Sequence, residues 1–285
     1  MPEVMKAAPP SAGLRTGHTA SIVGALMVLV SVIGYLREAA LAPRFGVSAT
    51  MDAYFAAIFI PNILYSILIA GTVSPVLIPI LVQEEAAAGE ARESQAFSGV
   101  ATFSLLVLVL IIAFLLPSAH FWLGWLFPGF TPATMDLAVH LVSIIFPAVI
   151  FLAGAGLVTA VLNGHHKFAL ASFAPAFASS AVILAALFAR GERAIYVVGI
   201  ATALGFLLQF LVLVPAVAPL GIRYRPDFNF RHPAIERLLR LGIPLFLYLA
   251  VAGASSVMER NLASRLSAGA VFHAKLRSAS VYRAV

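Results

Sequence analysis

Apolar runs long enough to cross a bilayer follow one another almost without pause, near residues 19–37, 53–82, 96–117, 136–162, 168–189, 194–218 and 239–264. A membrane-spanning helix needs about 20 mostly apolar residues, so the pattern predicts about seven complete spans. An eighth run begins near 268 and stops at Val285, inside an expected helix. Backbone polar groups in hydrocarbon must bond within the chain, which leaves helices or a closed barrel. The runs are continuous and do not alternate as barrel strands do. The prediction is an all-α, polytopic transmembrane helix bundle.

The second run is unusual because Pro61, Gly71, Pro75 and Pro79 interrupt one apolar stretch between Asp52 and Gln83. Proline removes a backbone donor and clashes with the preceding turn, so this element should be bent or broken. It reads either as a kinked packing helix or as a segment lining a substrate path. The polar segment before the first run carries Lys6 and Arg15 and shows no small-residue cleavage site. It reads as a tail before a retained helix, not as a removed signal peptide.

Alternate loops give the orientation. With the N-terminus inside, the inner set holds Lys6, Arg15, Arg92, Lys167, Arg223, Arg225, Arg231, Arg237 and Arg240. The outer set holds Arg37, Arg44, Arg190, Arg193, Arg260 and Arg265. The balance favours a cytoplasmic N-terminus, more so if Arg37, Arg44 and Arg260 face a cavity instead of a loop. The expected division is a tail over 1–18, a first lobe over 19–220, a basic cytoplasmic linker over 221–238 and the start of a second lobe over 239–285. The acidic stretch Glu84 to Glu93 reads as a solvated connection or short surface helix. Trp122, Trp125 and Phe127 read as an interfacial aromatic belt.

Composition narrows the chemistry. Of 285 residues 61% are hydrophobic and 11% charged, and mean hydropathy is +1.00; soluble chains are near a quarter charged. The net charge of +6 lies between apolar runs, so it reads as topology signals and anionic-lipid contacts and not as nucleic-acid binding. The absence of cysteine excludes disulfides and thiolate sites. No Gly-rich phosphate loop is present, so no ATP hydrolysis and no cofactor is expected. His165 and His166 adjoin Lys167 in a short loop, and adjacent histidines do not share a helix face as paired metal ligands do. A basic membrane-surface loop is the better reading there, and no metal is expected. His120 and His140 fall near helix ends, where interfacial roles suffice.

The charges inside or beside apolar runs are Arg37, Glu38, Arg44 and Asp52 around the first helical hairpin, then Glu259, Arg260 and Arg265 on the seventh helix. Ionisable groups in spans are costly and usually face a cavity or a partner charge. Arg37 and Arg44 share a face if the helix is continuous, which Pro43 makes doubtful. Guanidinium forks grip phosphate oxygens with paired donors, so an arginine-bearing cavity suits a diphosphate head group. Alternatively, Arg37 pairs with Glu38 or Asp52 and only fixes the hairpin.

Gly34-Tyr-Leu-Arg37-Glu38-Ala-Ala-Leu-Ala, Phe45-Gly46, Asp52-Ala-Tyr-Phe, Ile60-Pro61-Asn62-Ile-Leu, Gly71, Ser74 and Pro79 occur in an order that resembles the first two helices of the MurJ/MviN lipid II flippases. These belong to the larger group of multidrug and oligosaccharidyl-lipid exporters. Phe127-Pro-Gly-Phe130, Phe146-Pro147, Leu162-Asn163, Lys167-Phe168, Ala174-Pro175 and Glu259-Arg260 resemble its later landmarks. The resemblance implies a two-lobed transporter of about 14 helices, of which this chain supplies the first lobe and a little more. It implies a polyprenyl-diphosphate-linked saccharide as cargo, the bilayer of the bacterial inner membrane as its setting, and a separate chain as one source of the missing helices.

By that resemblance the substrate-binding set is Arg37, Asp52, Asn62, Arg260 and Lys275, the last through an alignment with a one-residue gap. Departures are Ser31 and Tyr65-Ser66, where the family commonly carries arginine, and Ala70, where it commonly carries an acid. Fewer cavity charges leave another lipid-linked oligosaccharide, such as an exopolysaccharide precursor, as an alternative cargo. A drug or cation antiporter and a membrane-embedded transferase are the rival classes. The antiporter would favour acidic cavity residues, and the transferase would need Asp52 or Glu259 as acid or base. A non-transporting membrane partner is a further reading.

Overall fold

The computed structural model describes residues 10–66, 69, 73–191 and 193–264. Among them the regular elements are all helices, without strands. The long α1 (Pro10–Phe45) runs on through Pro43, so the doubt over its continuity is corrected. Pro43 still forgoes its own N–H bond, but it lies in the last turn, so no further turn has to continue past it. Arg44 in the same turn donates from Nη1 to the Leu187 carbonyl, 3.2 Å away, which ties α1 to the helix over Pro175–Phe188.

The second predicted run is not one regular α-helix, although Pro61 and Pro79 lie inside its two α-helical parts. It forms α2 (Ala49–Leu64) and α3 (Ser74–Ala88), with wide π-type turns at Tyr65–Ser66 between them. Ser48 caps α2 by accepting from the Met51 amide. Pro75 sits in the first turn of α3, where its missing N–H would have had no helical partner. Gly89 turns the chain into α4 (Glu90–Leu115) at φ +74°, a backbone conformation that glycine adopts without strain.

Beyond α4 the expected aromatic belt is partly a helix, α5 (Ala119–Leu126). Trp125 is exposed as a belt residue would be, but Phe127 is fully buried. Its ring stacks on Phe130 at 5.0 Å and meets Phe59 edge-on at 6.3 Å, so Phe127 plugs the core instead of marking an interface. Thr131 caps α6 (Pro132–Ile145), and Pro147 then enforces a 3-10 turn before α7 (Val149–Gly164). The short α8 (Phe168–Phe173) leads at Pro175 into α9 (Pro175–Phe188). Next comes α10 (Ala194–Leu213), with 3-10 turns at Pro215 and Pro219. The last described helix is α11 (Pro233–Ser264), which starts six residues before the predicted run.

Among the described residues five segments are long and apolar enough to span: Ser21–Phe45, Glu90–Leu115, Pro132–Gly164, Phe168–Phe188 and Ala194–Leu220. The other two predicted spans correspond to the α2–α3 pair and to α11. The eighth run lies outside the described residues.

The core centres on α2, buried from Met51 through Phe59 and packed against α6 and α10. α10 also packs on α7 and α9, while α1 lies on α8 and α9. Small residues let the helices approach: a Cβ on Gly205 would stand 2.9 Å from the Ala178 carbonyl oxygen of α9. Close backbone contact of this kind substitutes for the hydrophobic drive that lipid does not supply.

The segment leading to α11 is neither helical nor loose. It runs extended along α4, held by a row of hydroxyls. Arg223 N–H donates to Ser94 Oγ at 3.3 Å, Arg225 N–H to Ser98 Oγ at 3.1 Å, and Asp227 N–H to Thr102 Oγ1 at 3.1 Å. Four helical residues rise about 6.0 Å and two extended residues about 6.6 Å, so the spacings match.

Candidate functional site

Arg37 projects from α1 with about a third of its side chain accessible, and its Nη2 donates to Glu38 Oε1 at 2.9 Å. The pairing with Glu38 offered by the sequence is thus realised. Arg37 also lies within electrostatic reach of Tyr54 on α2. Tyr54 is buried and its hydroxyl meets Thr202 Oγ1 of α10 at 2.9 Å; Thr202 in turn donates to the Val198 carbonyl, 2.9 Å away. Three helices therefore converge on one polar cluster inside an apolar bundle. A guanidinium carries five donors, so Glu38 engages only part of its capacity.

Asp52 is buried in the first turn of α2, where a carboxylate favours the helix dipole. Asn62 is exposed, ten residues or about 15 Å further along the helix, so the fold does not gather these two into one site. Arg260 lies on α11, but its side chain is outside the described set, and Lys275 lies outside the described residues altogether. Arg44, once a cavity candidate, serves as the α1–α9 tie described above. Tyr54 and Thr202 were not singled out by sequence. Tyr54 sits inside the Asp52-Ala-Tyr-Phe landmark, whereas a lone threonine in an apolar helix carried no signal.

Other clefts differ in character. One of about 440 Å³ is lined by Phe97, Leu105, Phe151, Phe210 and Tyr224 among others, without a charged group. One of about 430 Å³ between α3 and α11 carries Glu84, Glu236, Arg237 and Arg240. Neither includes Arg37 or Asp52.

The acidic stretch also departs from expectation. Glu84 and Glu85 lie near the end of α3, but Glu93, in the first turn of α4, is 1% exposed. It faces His165 at the end of α7, with 3.5 Å between Glu93 Oε2 and His165 Nε2. Helix packing, not charge pattern, decided its burial.

A bundle of long apolar helices, with a half-buried arginine held at its polar cluster, defines a multi-pass helical membrane protein. The sequence matches the family model described as "Lipid II flippase MurJ" over residues 41–280. A relative from Burkholderia cenocepacia, named "Lipid II flippase MurJ", is 33% identical over 265 residues, covering 87% of this chain and 50% of its own length. This chain belongs to the MurJ family. It spans about half the length of the curated relatives it matches.

Solved structures show the same fold. One titled as lipid II flippase MurJ in an inward closed conformation superposes with TM-score 0.74 at 22% identity, over 87% of this chain and 52% of that one. A MOP superfamily transporter from Pyrococcus furiosus matches with TM-score 0.63 at 16% identity, over 92% of this chain and 60% of that one.

Proposed function

We propose that this chain supplies the first transmembrane lobe of a flippase that moves a polyprenyl-diphosphate-linked saccharide, lipid II foremost, to the outer leaflet of the bacterial inner membrane. Its N-terminus is cytoplasmic, and the family is named for lipid flipping rather than for catalysis. The observation that carries this reading is Arg37: a partly accessible guanidinium, steadied by Glu38, beside the buried Tyr54–Thr202 pair in a MurJ-family bundle. Such a group has donors to offer diphosphate oxygens where little water competes. Asp52 and Asn62, at separate levels of α2, and Arg260 and Lys275 make up the rest of the proposed set, distributed along the cavity and not gathered at one point. Residues 19–220 form that first lobe, 221–238 the linker and 239–285 the start of the second. The remaining helices come from further sequence or from a separate chain.

A different lipid-linked oligosaccharide is the second reading. It is favoured by Ser31, whose uncharged hydroxyl only donates back to the Met27 carbonyl at 2.9 Å, at a position where the family resemblance leads one to look for arginine. Native mass spectrometry of the chain in nanodiscs tests both. Lipid II should remain bound to the wild type and be lost from Arg37→Ala, while undecaprenyl phosphate should bind weakly to each. Retention of an exopolysaccharide precursor in place of lipid II would select the second reading. Equal retention by wild type and Arg37→Ala would refute the role of Arg37.

A further inference from the structure

Where α3, α4 and α7 meet at one end of the bundle, Glu85, Glu93 and His165 place one ligand atom each within 4.8 Å of one another. We propose that these three side chains form a binding site for a first-row divalent cation, zinc being the best fit, that fastens the α3–α4 hairpin to the end of α7.

Four observations carry the proposal. First, Glu93 is 1% exposed, and neither of its carboxylate oxygens has a hydrogen bond. A buried carboxylate without a donor is expensive, and a coordinated cation removes that cost. Second, His165 Nδ1 lies 3.0 Å from the Val161 carbonyl. A carbonyl can only accept, so Nδ1 carries a proton, which leaves Nε2, the nitrogen that faces the two carboxylates, as the one that can ligate a metal. Histidines that ligate metals are commonly oriented by such a bond from the other ring nitrogen.

Third, the distances suit a metal better than an ion pair. His165 Nε2 stands 3.5 Å from Glu93 Oε2 and 3.9 Å from Glu85 Oε1. Charge-assisted hydrogen bonds are shorter, about 2.7–2.9 Å. A tetrahedron with metal–ligand distances of about 2.0–2.2 Å has edges of about 3.4 Å, so small shifts close the three atoms around one ion. Fourth, Glu85 is about half exposed, which gives the ion an entrance and leaves room for water as the fourth ligand. Glu90 adds negative potential nearby, and Arg92 is engaged by Glu84 at 3.5 Å.

One histidine and two carboxylates form a nitrogen–oxygen ligand set that suits zinc. The adjacent His166 is exposed and takes no part. This revises the reading of His165 as a surface loop residue: its partners lie about 70 and 80 positions earlier in the chain, beyond any local motif.

Equilibrium dialysis against zinc of the tag-free 285-residue chain, stripped with chelator in detergent, tests the site. The wild type should take up about one tight zinc per chain. Glu93→Gln and His165→Ala should each weaken binding at least about 100-fold, since loss of a mere supporting contact costs 10–100-fold; His166→Ala should bind as the wild type does. Zinc-edge X-ray absorption of the loaded wild type should show one imidazole nitrogen among oxygen neighbours, an outcome independent of whether any variant folds. Absence of a tight zinc site in the folded wild type, survival of binding in Glu93→Gln, or an absorption spectrum without imidazole would overturn the proposal.

Discussion

Replacing Thr102 by valine should loosen the extended segment before α11 without disturbing the helix it lies on. The hydroxyl of Thr102 receives the Asp227 N–H at 3.1 Å and meets the Tyr224 hydroxyl at 3.2 Å. Valine keeps the branched shape and deletes both bonds. Each bond is worth about 0.5–1.5 kcal/mol net, and an amide left buried would cost more. Asp227 is only half-buried, so water can reach its amide, and the combined loss should be about 1–2 kcal/mol. That corresponds to about a 5–30-fold rise in the opening equilibrium.

Hydrogen–deuterium exchange of the chain in detergent reads this directly. Peptides covering 222–231 should exchange faster by that factor in Thr102→Val, while those from α4 keep the wild-type rate, because helical amides do not depend on the Thr102 side chain. Unchanged exchange over 222–231 would show that the hydroxyl row does not hold the segment. Equal acceleration across α4 would show that the substitution unfolds the helix instead.

Three further outcomes follow from packing. Gly205→Val places side-chain atoms where Ala178 backbone already stands and should destabilise the α9–α10 pair by about 1–3 kcal/mol; a thermal melt in detergent equal to wild type would contradict this. Tyr54→Phe removes the buried bond to Thr202, which keeps its bond to Val198, so the loss should be near 1 kcal/mol and visible as a lowered melting temperature. Arg44→Ala deletes an exposed tie to Leu187, costing less than about 1 kcal/mol, and should leave lipid transport intact; abolished transport would return Arg44 to the cavity.

The sequence made some of this legible and left some of it hidden, for physical reasons. Continuous apolar runs report helices because lipid permits little else, and the second run does depart from one regular α-helix, although Pro61 and Pro79 lie within its α-helical parts. Pro43 misled because proline's effect depends on how many turns follow it. Burial of Glu93 and Phe127 was invisible, since both depend on contacts with distant segments, His165 in one case and Phe59 in the other. The hydroxyl row was written in the spacing of Ser94, Ser98 and Thr102, but its meaning appears only when the 223–227 backbone lies beside it. Arg37 was legible as an intramembrane charge, and so was its pairing with Glu38, whereas the Tyr54–Thr202 pair behind it joins residues 148 positions apart.

The central claim is that Arg37 serves cargo rather than architecture. Leaflet exchange of fluorescent lipid II in vesicles measures it, with this chain joined to the second lobe of a family member and compared as wild type, Arg37→Lys and Arg37→Ala. Exchange by the wild type, reduced in Arg37→Lys and absent in an equally folded Arg37→Ala, is the predicted result. Exchange by Arg37→Ala at the wild-type rate would contradict the account and leave Arg37 as a partner for Glu38 alone.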